Sequence, residues 1–472
     1  MSAFETSDLD RARAAAHELG VDIGLESKLR SYAPYRWRPD DRPHPTLQLD
    51  DVSGIPFLVD IAGVEEYQHR GRLRAGDGDV YVTVTPAAEG YEEYCQMQLR
   101  MGAPVHLIAD PVGPPIAVAR ACMSGHAYSR LVSIAREAQG MMLHPYMGIE
   151  DVWELAKRIA RESCQPVHVL APPPPTTWIA NDKAHFDELV GRILGRSALV
   201  ETHIARDVEG IQAGLRLVAK RYPRVGLKRT RCASAMGNAV YQSRDVEAEG
   251  GAANAVREFL RRTEWPEGEE VLAVGWLDTD ISPSTQLWIP PVGRGDPRLD
   301  GIYEQILRGE EKVFVGSRPS TLPDAVNREL GRSALMIGAA LQELGYVGRC
   351  SFDHLVTGDI RGDFRVLFTE CNGRWGGTST PMSLLDRLLP GPRPVYRAED
   401  VVYPELIGAR FPDLLDLAGD AMFRADTGRG RFIFYNVGPL DAHGKLDVIS
   451  IGTDPTDAER GLLEILPTLL GL

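Results

Sequence analysis

Lysine is what this 472-residue chain has least of among its charges: seven stand among fifty-two basic residues, so nearly every fixed positive charge is arginine. Lys28, Lys157, Lys183, Lys220, Lys228, Lys312 and Lys445 are the full set, and a lysine inside a motif is correspondingly informative. Cysteine is sparse as well. Cys95, Cys122, Cys164, Cys232, Cys350 and Cys371 include no C-x-x-C pair, which argues against a disulfide framework and a structural zinc site and leaves reduced thiols as the expectation. A basic surplus is also missing. The net charge of −14 argues against a general nucleic-acid or anionic-membrane binder, because such partners require a positive field, and an anionic ligand would need a local basic pocket. No apolar run approaches the roughly 18 residues of a membrane span. The opening MSAFETSDLDR lacks the basic-then-apolar pattern of a secretory signal, so a cytoplasmic location without a membrane partner is expected. G-x-G-x-x-G after a strand, G-x-x-x-x-G-K-[ST] and H-E-x-x-H are absent. His126, His144 and His168 have no metal-spaced partner and read as structural or solvated.

The length suggests about three domains. Residues 1–178 read as a mixed α/β unit: short apolar runs at 55–62, 80–85, 105–109 and 167–170 suggest strands of an open sheet. Val152, Leu155, Ala156 and Ile159 recur at helical spacing between residues 151 and 162, a packing stripe. The four prolines at 172–175 read as an extended linker. Beyond them Asn181 or Asp182 can cap a helix whose buried stripe is Phe186, Leu189, Val190 and Ile193, which puts Lys183 in its first turn. A second helix is expected over 207–221. Pro223 then breaks the periodicity, and Val225 and Leu227 alternate with Gly226 and Lys228 in a short strand. The small residues from Ser234 to Asn238, with Ser234 and Gly237 among them, form a loop whose N–H groups could cradle phosphate, though such loops are also ordinary turns.

From 271 to 277 the chain is an apolar strand. The backbone of Val274, Gly275, Trp276 and Leu277 could read an adenine edge and Asp278 or Asp280 could take ribose hydroxyls; a buried strand ended by an acidic turn is an equal reading. A helix over 323–345 leads into two strands, 350–357 and 364–371, joined by a polar turn at 358–363. This hairpin carries Asp353 within its first strand, Glu370 at the end of the second and Asn372 two residues on. Strand alternation lets Glu370 and Asn372 project to one side, with Asp353 available from the neighbouring strand. Two carboxylates, an amide oxygen and the nearby Arg374 suit a phosphate-bound Mg²⁺, which prefers hard oxygen ligands and keeps several waters. Residues 391–472 read as a small α/β module with a hairpin over 431–451 and a closing helix from 457. It shows no evident catalytic cluster, and could cover an acceptor site, form a homodimer contact or simply finish the core.

Taken in order, N-D-K at a helix start, V-G-L-K with its small-residue loop, an apolar strand ending in acids, S-F-D and T-E-C-N-G-R closely resemble the ATP-grasp superfamily over about residues 179–390. The resemblance implies an α/β (α+β) ATP-grasp fold with an α/β N-terminal substrate domain (1–178), a central lid subdomain (179–270), a C-terminal subdomain with the metal site (271–390) and the small module. It implies ATP phosphates on Lys183 and Lys228, adenine at Val274 to Leu277, Mg²⁺ on Asp353, Glu370 and Asn372, and a closing lid over 184–268. Arg374, or Arg349 before the first hairpin strand, would hold the transferring phosphoryl group or an oxyanion. The loop SAMGN departs from a more glycine-rich pattern. The activity implied is ATP-dependent joining of a carboxylic acid to an amine or peptide acceptor through an acyl phosphate. The segments SPSTQLWIPP, GSRPS and NGRWGGTST and the added C-terminal module more narrowly resemble the pheganomycin-type peptide ligases of actinobacteria. A small-molecule kinase and a non-catalytic nucleotide-binding protein are the alternatives, the latter disfavoured by the intact acid set.

Overall fold

A computed structural model describes residues 6–39, 44–56, 58, 61–232, 237–309 and 312–472. The loop residue Ser234 lies outside this set. The first unit is a parallel sheet of β1 (Thr46–Leu49), β2 (Val80–Thr83), β3 (Val105–Ile108), β4 (Met141–Pro145) and β5 (Val167–Val169), ordered β3-β2-β1-β4-β5. All its paired strands are parallel, so its strands are buried between helices such as Gly125–Glu137 and Glu150–Ser163. The expected strands at 80–85, 105–109 and 167–170 are present. The expected strand at 55–62 is not: Ile55 and Leu58 are buried in the core, but the described residues there form turns, and β1 and β4 take the central places. β1, Thr-Leu-Gln-Leu, alternates polar and apolar residues but escapes a pattern search because it is only four residues long; all four are buried.

The proline run is a second correction. Pro172, Pro173 and Pro174 are buried, Pro173 caps a helix spanning Pro174–Asn181, and the carbonyl of Pro172 accepts from Trp153 Nε1 at 3.2 Å and Thr177 Oγ1 at 3.0 Å. Proline suits a first helical turn, where its missing N–H would have no partner anyway, so the run is a packed joint instead of a free linker.

The central segment is a four-stranded antiparallel sheet of β6 (Thr202–Ala205), β7 (Arg224–Arg229), β8 (Asn238–Gln242) and β9 (Val271–Gly275), ordered β6-β9-β7-β8. Its helices Val208–Ala219 and Gly251–Arg262 bury Ile211, Leu215, Val218, Val256 and Phe259 against Val225 and Leu227. Because β9 lies between β6 and β7, this sheet extends past the expected break at 270. The helix Lys183–Leu194, by contrast, packs Phe186, Leu189 and Val190 with Phe352 and Phe368 in a different core, so it belongs with the acidic hairpin.

The largest sheet contains β10 (Pro283–Ile289), β11 (Arg298–Arg308), β12 (Val313–Pro319), β13 (Gly348–Gly358), β14 (Phe364–Asn372), β15 (Val395–Val402), β16 (Phe432–Asn436) and β17 (Lys445–Gly452), all antiparallel in the order β14-β13-β10-β11-β12-β15-β17-β16. The expected hairpins β13–β14 and β16–β17 form. The C-terminal strands are not a separate sheet, however: β15 pairs with β12 through Gly316 and Ser317, so the segment after residue 390 continues the sheet that carries the acids. The helix Asp324–Glu343 buries Leu330, Ala334, Ile337 and Leu341 and delivers the chain to β13.

Candidate active site

The β13–β14 register sets the geometry. Asp353 lies opposite Glu370 and Ser351 opposite Asn372, so both acids and the amide reach the same face. The register shifts after Asp353, where His354 pairs with Phe368 and leaves Thr369 as an extra residue on β14. Such a bulge twists a strand locally and re-aims the side chain beside it, here Glu370. Asn372 Nδ2 donates to Asp353 Oδ2 at 3.0 Å, which leaves the amide oxygen as a potential ligand. Burial, reinforced by the facing Glu370 charge, raises the Asp353 carboxyl above its ordinary range despite hydrogen bonds from Ser284, Gln305 and Asn372. Burial presses the same way on Glu370, but Lys183, Lys228 and Arg374 outweigh it and hold that carboxyl low.

Lys183 is the link between units. Asp182 caps its helix by accepting from Ala184 N and His185 N, which fixes Lys183 at the first turn as expected. Its backbone N–H donates to Thr230 O at 2.9 Å at the end of β7, and its Nζ lies 2.9 Å from Glu370 Oε2 and 3.1 Å from Cys232 O. Burial opposes its charge, yet Cys232 and Glu370 raise its pKa above that of a free lysine. Lys228 points away from the buried Val225 and Leu227, and its Nζ lies 5.4 Å from the centre of the Trp276 ring. Burial and the neighbouring Lys183 lower its pKa, only partly offset by Glu370.

Both lysines and both acids line one pocket of about 190 Å³ between the central sheet and the large one. Its apolar walls include Leu199, Leu272, Val274, Trp276, Leu355 and Phe368, and Gly275 and Leu277 complete the strand side. Gly275 is there for space: a Cβ would sit 2.7 Å from the Tyr222 ring. Gly275 N–H donates to Glu201 O and Trp276 N–H to Arg224 O, so those two groups are committed within the central segment and an adenine edge would be read beyond them, near Leu277. Asp278 and Asp280 do not line this pocket. Asp280 is 96% exposed and pairs with Lys312 at 2.6 Å, and Asp278 reaches toward Arg224 at 3.6 Å. Thr202, Gln305 and Lys312, which sequence reasoning passed over, do line it, as does Asn238 at the end of the small-residue loop. Thr202 lies on β6, whose partner β9 is some seventy residues away in sequence, so nothing local marked it. Gly237 sits where Arg229 N–H donates to its carbonyl at 3.0 Å, closing the ends of the small-residue loop.

A second pocket, about 140 Å³, shares Asp353, Glu370, Gln305 and Phe314 with the first and adds Asn372, Arg374, Tyr67, Arg70, Tyr146, Gln286 and Asp400. Arg374 therefore lines the second pocket, near enough to Glu370 for its charge to act on that carboxyl. Arg349 does not: its guanidinium pairs with Asp300 and lies 5.6 Å from the Trp288 ring and 5.5 Å from that of Trp375, outside both pockets. Strand alternation puts Arg349 in the parity of Ser351 and Asp353, but two residues further from the acids, where Asp300 on β11 meets it. Among the described residues no group of three or more His, Cys, Asp and Glu is assembled for a metal. The donor set is thus two carboxylates and one amide oxygen, and the facing buried acids fit a hard divalent cation such as Mg²⁺.

No family model matches the chain, and no curated protein matches it in sequence. Solved structures do match. N5-carboxyaminoimidazole ribonucleotide synthetase from Thermus thermophilus superposes with a TM-score of 0.51 at 16% identity, covering 90% of this chain and 98% of that one. Carboxyaminoimidazole ribonucleotide synthase from Aspergillus clavatus, complexed with ATP, gives 0.52 at 12% identity over 91% and 98%. The biotin carboxylase domain of Hydrogenobacter thermophilus 2-oxoglutarate carboxylase, in complex with MgADP, ADP and bicarbonate, gives 0.52 at 14% identity over 91% and 94%. Among the described residues no helix is long and apolar enough to cross a membrane. With a central antiparallel sheet set against a larger one across a lysine-lined pocket, and with these neighbours over nine-tenths of its length, the chain has the ATP-grasp fold.

Proposed function

We propose that the chain is an ATP-dependent carboxylate–amine ligase, and specifically a peptide ligase that joins an amino-acid-like acid to the amine of an amino acid or peptide in peptide natural-product biosynthesis. The observation that carries this reading is the junction of two pockets at Asp353 and Glu370, one walled by Lys183 and Lys228 and the other by Arg374. A carboxylate is a poor acyl donor because oxide would have to leave. In the proposed reaction a carboxylate oxygen attacks the γ-phosphorus of ATP, ADP leaves, and an acyl phosphate forms; the amine then attacks the carbonyl carbon, and phosphate departs with the bonding pair as the amide forms. Lys183 and Lys228 would hold the phosphates, and Arg374 the transferring phosphoryl group or the tetrahedral oxyanion. Asp353, Glu370 and Asn372 would hold Mg²⁺, which when bound neutralises charge on β- and γ-phosphate oxygens. Closure of the central sheet over the pocket would exclude water, which otherwise hydrolyses the acyl phosphate. A cytoplasmic setting and a homodimer belong to the same proposal, as do unit boundaries near 178 and, after β9, near 275, with the segment after 390 continuing the large sheet.

The test is the co-substrate dependence of ADP release. Purified protein incubated with ATP, Mg²⁺ and panels of acids and amines is expected to release ADP and phosphate in amounts equal to amide formed, and only when both partners are present. Release with one partner alone and no amide would sink the ligase reading.

A further inference from the structure

A cleft larger than either pocket at the acids lies on the other side of the helix Asp324–Glu343's C-terminal end. It encloses about 760 Å³, within the range of small-molecule sites, between the N-terminal helices Thr6–Asp22 and Leu25–Leu29, the turn Arg30–Tyr35 and the chain at 343–347. Its apolar lining includes Leu25, Leu29, Trp37, Val292, Leu344 and Val347, and Arg30, Arg36, Arg38 and Arg294 line it too. In a chain of net charge −14 this is a local basic pocket, the feature an anionic ligand requires.

Arg36 is the anchor. Its backbone bridges to Val169 at the edge of the parallel sheet, which holds it in place. Its Nη2 donates to Gly345 O at 3.1 Å, and a Cβ at Gly345 would meet that nitrogen at 3.3 Å, so the guanidinium lies on the cleft wall formed by Gly345. Gly345 has φ +87°, and glycine both permits that turn and leaves room for the guanidinium. Among the described residues no carboxylate pairs with Arg36, and Arg38 places a second positive charge near enough to disfavour the first; burial and that repulsion both lower its pKa. Two carboxylates line the cleft as well, Glu26 and Glu343, the latter 3.6 Å from His17, so the lining stays net basic with its four arginines. A half-buried guanidinium on a partly apolar cleft, with no carboxylate partner among the described residues, is a costly arrangement that an anion would complete.

We infer that this cleft binds a small amphipathic anion, an apolar body ending in a carboxylate or phosphate whose oxyanion is held by Arg36 with Arg38 beside it. The guanidinium fork matches either head bidentately. The apolar body lies over Leu25, Leu29 and Leu344. The site is distinct from the two pockets at the paired acids and does not depend on the proposed reaction.

Calorimetric titration of the full-length protein with octanoate, octyl phosphate, octylammonium and 1-octanol tests it without any turnover. One octanoate or octyl phosphate per chain is expected, with octylammonium weaker by about tenfold or more, and the better of the two anions identifies the head. Arg36→Gln is expected to weaken anion binding about tenfold while leaving octanol unchanged, and Arg36→Lys to recover part of the loss. Should Arg36→Gln not fold, Val292→Asp, at a position 57% exposed on the cleft rim, supplies an opposing charge and is expected to weaken the anions in the same way. Equal binding of octanoate and octylammonium, no anion binding at millimolar concentration, or anion affinity indifferent to whichever of these variants folds would overturn the inference.

Discussion

The eight-stranded sheet carries two pairs of carboxylates that face each other across neighbouring strands: Asp353 opposite Glu370 on β13 and β14, and Asp400 opposite Asp447 on β15 and β17. Both pairs are held where water is scarce, and in both, burial and the partner's charge raise one acid, Asp353 or Asp400. They are resolved differently. At the second pair, Arg70 Nε donates to Asp447 at 3.1 Å and Lys445 Nζ lies 3.3 Å from Asp400 and 3.1 Å from the Tyr67 hydroxyl, so two cations answer two anions. Arg70 comes from the N-terminal unit and Lys445 from β17, which makes that cluster a clamp between the ends of the chain. At the first pair one lysine, Lys183, contacts Glu370, and Asp353 has only neutral donors. Lys228 and Arg374 also act on Glu370, so Asp353 is the acid of this pair that only neutral groups meet, and it lines both pockets; on that ground the first pair is the one proposed as functional.

Removing a member of each pair should separate the roles. Asp353→Ala is expected to lower amide-forming activity about a hundred- to a thousandfold, on the scale of lost transition-state electrostatics, while the unfolding temperature changes little because only neutral groups meet that carboxyl; activity within tenfold of wild type would end the assignment. Arg70→Met should do the reverse. Leaving Asp447 buried and unpaired costs about 3–5 kcal/mol, read by denaturant unfolding, and adding Asp447→Leu should recover most of it. A loss under about 1 kcal/mol would show that the clamp does not hold the two ends. The third effect is smaller and concerns pH. Because burial and Lys183 lower the Lys228 pKa, that lysine loses its proton below the ordinary value of about 10.4. Affinity for a non-hydrolysable ATP analogue should therefore decline as pH rises toward that value, and Lys228→Arg, which stays charged, should flatten the decline. A decline of the same size in Lys228→Arg would assign it elsewhere.

The pair proposed as functional is legible in the sequence and the clamp is not. Asp353, Glu370 and Asn372 lie on one hairpin with a short polar turn, so strand alternation alone places them together, and the Asp182 cap places Lys183. Arg70, Asp400 and Asp447 come from three segments joined only by the sheet, and nothing local marks their meeting. The same limit explains Arg349, whose strand position suggests the site although Asp300 on β11 claims it. Order along the chain points to Asp278 and Asp280; Trp276, Leu277 and Thr279 line the pocket, but the side chains of Asp278 and Asp280 between and beyond them are exposed to solvent. β1 escapes notice and the proline run reads as a linker for a related reason, since both are largely buried and burial cannot be read from a short stretch.

The central claim is that Asp353, Glu370 and Asn372 hold a divalent cation for a nucleotide whose phosphates meet Lys183 and Lys228. Calorimetric titration of a non-hydrolysable ATP analogue, with and without Mg²⁺, into wild type, Glu370→Gln and Lys445→Met tests it most directly. The account predicts that Mg²⁺ strengthens binding to wild type and to Lys445→Met, and that Glu370→Gln loses most of that enhancement. Equal enhancement in Glu370→Gln, or its loss in Lys445→Met alone, would contradict it.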